Sequence, residues 1–406
     1  MSFSLSAYFE GSGTRFRLHP QSPVLEDFRE PETVWLSSPR GSLAPGPSDR
    51  RMYALTPIAK RPYLDEDCPP YCGPVHPPAM PGPDGHFDHV APDSPAFLAV
   101  HMFGSIRRVL DIWEVYSGGP VPWHFQMSFP RLELIAHVPW RNAHFGSGYC
   151  ECGEDADDAG VMRPFALNFD IIAHEVGHGL VFAIAGIPPV GTLTTDYLAF
   201  HESASDLVAI VSALHFESFV DHILRRTKGD LHAENELNRI GELSGTRQIR
   251  SASNALRLPD LAYRGKPPDQ LTGHQIHELG QPLTGAFFDI GVEFFIARLV
   301  ALGVVTPAEA ALLREVQGVE DLDTAERARI RARYLQDPAL FRRAIRDARD
   351  MLGLRLARSW HRLRPQNLHF GDVSRCFLIS DRELSGSRYT ENIRECFAWR
   401  GIIADM

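Results

Sequence analysis

The sequence predicts an α+β fold in two lobes, one built around a small sheet and one mostly helical, preceded by a proline-rich extension. Three observations carry that reading. More than half of the 31 prolines fall before residue 96, in clusters such as Pro45-Gly46-Pro47 and Pro81-Gly82-Pro83, where no long helix can form. Between Phe125 and Val138, the residues Phe129, Leu132, Leu134 and Ile135 mark one or two strands. In the last third, helix-start signals recur at Thr306-Pro307-Ala308-Glu309, Asp323-Thr324-Ala325-Glu326 and Asp337-Pro338. The divisions expected are 1–95 for the extended segment, 96–225 for the α/β lobe and 226–406 for the helical lobe.

Taken in order, the extension offers short strands at Tyr8 to Leu18 and at Val34-Trp35-Leu36, and is expected to wrap the surface of the α/β lobe. A role as an inhibitory pro-segment has less support, because its strand content is weak. Pro95 to Trp113 reads as an amphipathic helix with Phe97, Val100, Phe103 and Leu110 on a broad apolar face. Gly146 to Gly160 is glycine-rich and acidic. It could bind calcium, but such a run is more often a solvated loop. Arg225 to Asp269 is polar and reads as loop with short helices, and Gln281 to Leu302 as a buried central helix. Arginines from Arg327 to Arg349 alternate with Asp and Glu, which favours a solvated helix surface over an anion-binding face.

The chemistry concentrates in His174-Glu175-Val176-Gly177-His178. Apolar residues around it, Ile171, Ile172, Val176, Leu180 and Val181, place it on a buried helix that starts at Asn168 or Asp170 and stops at Gly186-Ile187-Pro188-Pro189. Two His at i and i+4 share a helix face and can close on one ion, with Glu175 beside the open position as the base. Without a cation, two imidazoles and an acid on one buried turn are costly to satisfy. A second helical pattern, Tyr197 to Ala209, carries Glu202 and Asp206 four apart. Glu202 completes a His, His, Glu set, and Asp206 is placed to orient a ligand imidazole. His201 competes with Glu202, but neighbours on a helix point about 100° apart.

The order HExxH then ExxxD resembles the gluzincin metallopeptidases, of the thermolysin-like and fungalysin-like kind. Two flanking stretches extend the resemblance. Asn142-Ala143 looks like the edge-strand segment that holds the substrate backbone in that family. His277-Glu278-Leu279-Gly280, running on to Phe288-Asp289, looks like the segment that carries a site histidine. The resemblance covers about Pro139 to Asp289, and Phe397 to Ile402 is similar to the end of fungalysin-like chains. It implies a thermolysin-like two-lobed fold and a zinc held by His174, His178 and Glu202. It also implies Glu175 as the base that activates water, His277 as donor to the oxyanion with Asp269 behind it, and peptide or protein substrates. His277 is preferred to His274 because only its register brings Gly280 and Phe288-Asp289 into place. The family's double calcium site is not expected: Asp170 matches one ligating acid, but the position seven after Asp206 is Ala213.

Composition bounds the rest. With 44% apolar residues in 406, the chain can bury a sizeable core, and a net charge of −10 argues against nucleic-acid or anionic-membrane partners. The start lacks the features of a signal peptide and no apolar run is long enough to span a bilayer, so the expected location is cytoplasmic, with non-classical export as the other route. Six cysteines, Cys68, Cys72, Cys150, Cys152, Cys376 and Cys396, are expected as free thiols, a four-thiolate zinc site from the first four being the sharper alternative. The function expected is a zinc endopeptidase. An exopeptidase or small-substrate hydrolase on the same fold, and a silent zinc-binding scaffold, are the alternatives.

Overall fold

The computed structural model describes residues 5–64, 67–244, 247–315 and 325–402. Its chain forms two compact units, Ser4–Ala183 with Gly241–Ile249, and Ile184–Ile240 with Arg250–Met406.

The first unit opens with a short helix α1 (Leu5–Phe9), turns at Gly11 with φ +84°, and enters β1 (Gly13–Leu18), which pairs antiparallel with β2 (Glu32–Pro39). The strand expected from Tyr8 therefore starts later, after a helical turn. In β1 the alternation is complete: Thr14, Phe16 and Leu18 are buried while Arg15 and Arg17 are half-exposed. Phe16 stacks on Phe87 and on Phe103 of α2 (Ala96–Ser117), and a Cβ on Gly104 would lie 2.7 Å from Leu18, so glycine lets the ribbon lie against the helix. Far from only wrapping a surface, the segment before residue 96 supplies fully buried core residues, among them Phe16, Val34, Leu36 and Phe87. Helix α2 continues past Trp113 until Gly118 takes φ +76° and ends it.

A four-stranded sheet is built from β3 (Met52–Leu55), β4 (Leu132–Ile135), β5 (Ala143–Gly146) and β6 (Tyr149–Cys152), in the order β3-β4-β6-β5. The first two pairings are parallel and β5–β6 is antiparallel, which leaves β5 at an edge. Register sorts the faces. Met52, Ala54, Leu132, Leu134, Cys150 and Cys152 share one, and Tyr53, Glu133, Glu151 and His144 share the other. The apolar side receives α3 (Phe169–Ile184): a Cβ on Gly179 would come within 2.4 Å of the Phe145 ring.

Two further expectations are corrected in this unit. Phe125 to Val138 is strand only over Leu132–Ile135, because Trp123, Phe125 and Phe129 gather into an aromatic cluster with Phe145 instead. The acidic run Gly146 to Gly160 is β6 and β7 (Glu154–Ala156), the latter paired with β8 (Met162–Pro164), and not a solvated loop. Its acids are held by the chain's own cations and amides: Glu151 by Lys60, Asp155 by Arg141, and Asp157 by Arg163 and the amides of Ala159 and Val161. The Asp170 carboxylate, the other calcium-type acid, accepts from Gln21 Nε2 at 2.5 Å.

The second unit is helical: α4 (Thr195–Ala213), α5 (Glu217–Thr227), α6 (Gly273–Ala301), α7 (Pro307–Glu315), α8 (Ala325–Gln336), α9 (Pro338–Trp360), α10 (Phe370–Ser385) and α11 (Thr390–Trp399). A hairpin, β9 (Arg239–Ser244) and β10 (Arg247–Ser251), interrupts the stretch expected as loop. Helix α6 begins eight residues before Gln281, on a capping box of Thr272 and Gln275. Gly280 lets α6 approach α4, since a Cβ there would sit 2.8 Å from the Ala199 carbonyl, and Thr284 donates to Ser203 at 3.0 Å one turn further on. The Thr306–Glu309 box and the Asp337 cap both form as expected, while the box at Asp323-Thr324 lies outside the described residues. The arginines of α9 do more than face solvent: Arg342 and Arg346 form ion pairs with Asp221 and Glu217 of α5. No single helix among the described residues is long and apolar enough to cross a membrane.

Candidate metal centre

Helix α3 starts because the Asn168 side chain accepts from the amides of Asp170 and Ile171, at 3.1 and 3.4 Å. That fixes the helical phase, which brings His174 and His178 to one face, ring centroids 4.7 Å apart and nearly perpendicular. Helix α4 starts on Thr194, whose hydroxyl accepts from Tyr197 at 3.1 Å. The Tyr197 hydroxyl in turn donates to the Gly186 carbonyl at 2.6 Å, closing the connecting loop on itself. One atom each of His174, His178 and Glu202 lies within 4.8 Å of the others, and this is the group of potential metal ligands found among the described residues. His174 is buried, and His178 and Glu202 are half-buried. Two imidazole nitrogens and a carboxylate oxygen converging from one buried and two half-buried positions form a donor set of the kind that holds zinc. Glu175 lies next to the first of them and is itself buried.

His201, the competing ligand, does not join the group. Its ring stacks flat on Tyr197, at 5.9 Å and 14°. Asp206 is buried one turn beyond Glu202, and its carboxylate is gripped by Arg250: Nε reaches both oxygens at 3.0 Å and Nη2 reaches Oδ1 at 2.6 Å. Arg250 Nη1 also lies 3.2 Å from His277 Nδ1, and that nitrogen lies 3.0 Å from Glu202 Oε2. His277 thus stands beside a candidate ligand, within helix α6 and not at its cap. His274 points elsewhere, 83% exposed and 4.0 Å from Glu278. Asp269 is exposed on a short 3-10 turn, so the partners of the His277 imidazole are Glu202 and Arg250 instead.

Ala143 opens the edge strand β5, with its side chain buried, and the Asn142 carbonyl just before it accepts from the Gly153 amide at 2.9 Å. All six cysteines are free. Cys68 and Cys72 are exposed, whereas Cys150 and Cys152 are buried side by side on β6, and among the described residues no cluster of potential metal ligands includes them. The Cys150 thiol is pushed well up by the neighbouring Cys152 and by burial. Arg250 is the residue that sequence reasoning missed. It sits 44 residues from Asp206, in a polar stretch that offered no periodicity to single it out.

No family model and no curated protein sequence matches the chain. Among solved structures, the precursor of protealysin, a metalloproteinase from Serratia proteamaculans, aligns over 73% of this chain and 88% of that one, at 12% identity and a TM-score of 0.37. The chemistry of the site rests on its own residues.

Proposed function

We propose that the chain is a zinc-dependent peptidase, with His174, His178 and Glu202 as metal ligands and Glu175 as general base. The observation that supports it is the convergence of those three ligand atoms with a buried carboxylate one residue along. When bound, zinc would polarise a carbonyl and bring the pKa of water towards neutrality. The protein's part is proton traffic and orientation. Glu175 takes a proton from the attacking water and passes it to the leaving amine as the C–N bond breaks. His277, whose Nδ1 is held between Arg250 Nη1 and Glu202 Oε2, donates from its Nε2 to the carbonyl oxygen as it gains charge. The free edge of β5, entered through Asn142 and Ala143, offers backbone groups to an extended peptide. Incubation with a peptide library, with metal analysis on the same sample, tests this reading. Cleavage with one zinc per chain is expected. Zinc without cleavage would leave a binding scaffold, and cleavage confined to terminal residues would make it an exopeptidase.

A further inference from the structure

We infer that Lys60 positions the edge strand β5 from the polar face of the sheet, acting through Glu151 and His144; its bearing on peptide binding rests on the peptidase reading.

Glu133 and Glu151 are fully buried on adjacent strands, β4 and β6, and point to the same face. Two like charges there are tolerable only with dedicated partners. Glu133 has three neutral ones: the Tyr53 and Tyr63 hydroxyls at 2.8 and 2.7 Å and the Tyr71 amide at 2.9 Å. Glu151 takes the Tyr63 amide at 2.8 Å, the Lys60 ammonium and His144 Nε2 at 2.8 Å. Lys60 is therefore the cation facing this pair of glutamates. Its side chain is 3% exposed, and its ammonium also sits 3.3 Å from the centre of the Tyr63 ring. The chain contains three lysines among 41 Lys and Arg, so a buried one stands out.

The mechanical consequence falls on β5. That strand has four residues and, among the described residues, a single neighbour, β6, with His144 directly opposite Glu151. Backbone pairing over so short a length is weak. The His144 ring adds a side-chain tie to Glu151, with the Trp140 and Tyr149 rings packed on it at 5.0 and 5.2 Å. Lys60 keeps Glu151 ionised and oriented to accept that tie. Residues 57–64 and 67–72, which bring Lys60, Tyr63 and Tyr71 to the sheet, thereby set the backbone rail on its edge.

The test uses the zinc-loaded full chain. Lys60→Met leaves Glu151 buried without its cation and can fail to fold, so Lys60→Met/Glu151→Gln, which removes both charges, is made alongside. Hydrogen exchange at 143–146 should speed up about tenfold while α2 amides stay unchanged. For a quenched-fluorescent peptide, KM should rise about fivefold with kcat within about twofold of the parent. Parent-like exchange of β5 in a folded variant overturns the inference. So does a rise spread evenly through the unit, since the network would then only stabilise the fold. If the parent itself cleaves no peptide, the peptidase reading fails, and the exchange result still decides the role of Lys60.

Discussion

Two of the clusters of buried or half-buried ionisable groups among the described residues are built on opposite principles. Glu133 and Glu151 meet hydroxyls, amides, an imidazole and an ammonium, each donor aimed at a carboxylate oxygen. His174, His178 and Glu202 instead gather three lone-pair donors within 4.8 Å, an arrangement that gains from a cation. The first is satisfied by the chain itself and reads as structure. The second is a convergence of ligand-type atoms that could hold a metal ion.

The sharpest way to break that contrast is Glu175→Gln. The amide fills the same space but cannot take a proton, so hydrolysis should fall by roughly 10²–10⁴-fold with zinc content unchanged. Loss of zinc in the variant would make Glu175 a ligand. Full activity would remove the proposed base.

Next in size is His277. Losing one donor to a developing oxyanion costs about 10²–10³ in turnover, so His277→Ala should show that loss in kcat with zinc retained. His274→Ala, altering an exposed ring, should turn over normally. The reverse pattern would show that the wrong histidine of α6 has been chosen.

Asp206 tests where the metal cluster ends. If it orients a ligand imidazole, Asp206→Ala weakens zinc binding about 10- to 100-fold in a chelator competition. If its whole role is to hold Arg250, zinc affinity stays put and kcat falls, because His277 loses its neighbour.

These residues were not equally legible. The candidate metal ligands on α3 and α4 could be read because a helix turns sequence spacing into geometry, and i, i+4 leaves little freedom. Helix ends at Thr306 and Asp337 were readable for the same local reason, and the Thr272–Gln275 box was also there to be seen, marking α6 before its apolar run begins. The strand β6 was hidden because Glu151 reads as a solvent-facing acid until Lys60, 91 residues away, neutralises it. Arg250 reaches Asp206 through a hairpin, a long-range pairing that no local pattern encodes. The sheet's edge at β5 was expected from a resemblance, whereas its polar face depends on contacts that only folding assembles.

The smallest effect sharpens the comparison by adding a third buried group, one whose signature is pH and not metal. His101 on α2 is fully buried, accepts from the His19 amide at Nε2, 2.9 Å away, and lies with Nδ1 2.8 Å from the Ala166 carbonyl. That pairing needs the neutral ring with its proton on Nδ1. Burial, helped by the nearby His19 ring, brings its pKa down from 6.5 to about 3. A folded value below the unfolded one means that the unfolded chain binds the proton first. The stabilisation is therefore complete above 6.5 and is lost as pH falls from there towards 3. Each such proton changes stability by about 1.4 kcal/mol per pH unit. His19, also lowered chiefly by burial, adds to the slope in the same direction. Urea unfolding of the chelator-treated chain between about pH 6.5 and pH 5.5, above most of the carboxylate range, reads the histidine contributions, and a variant separates the share of His101. His101→Gln keeps a donor and an acceptor without titrating, so its stability should vary less with pH than the parent's, by roughly half a proton at pH 6.5 and roughly nine-tenths at pH 5.5. Equal slopes would mean that the imidazole is not held neutral, and that the tie from the N-terminal ribbon through α2 to the residues before α3 is weaker than these distances imply.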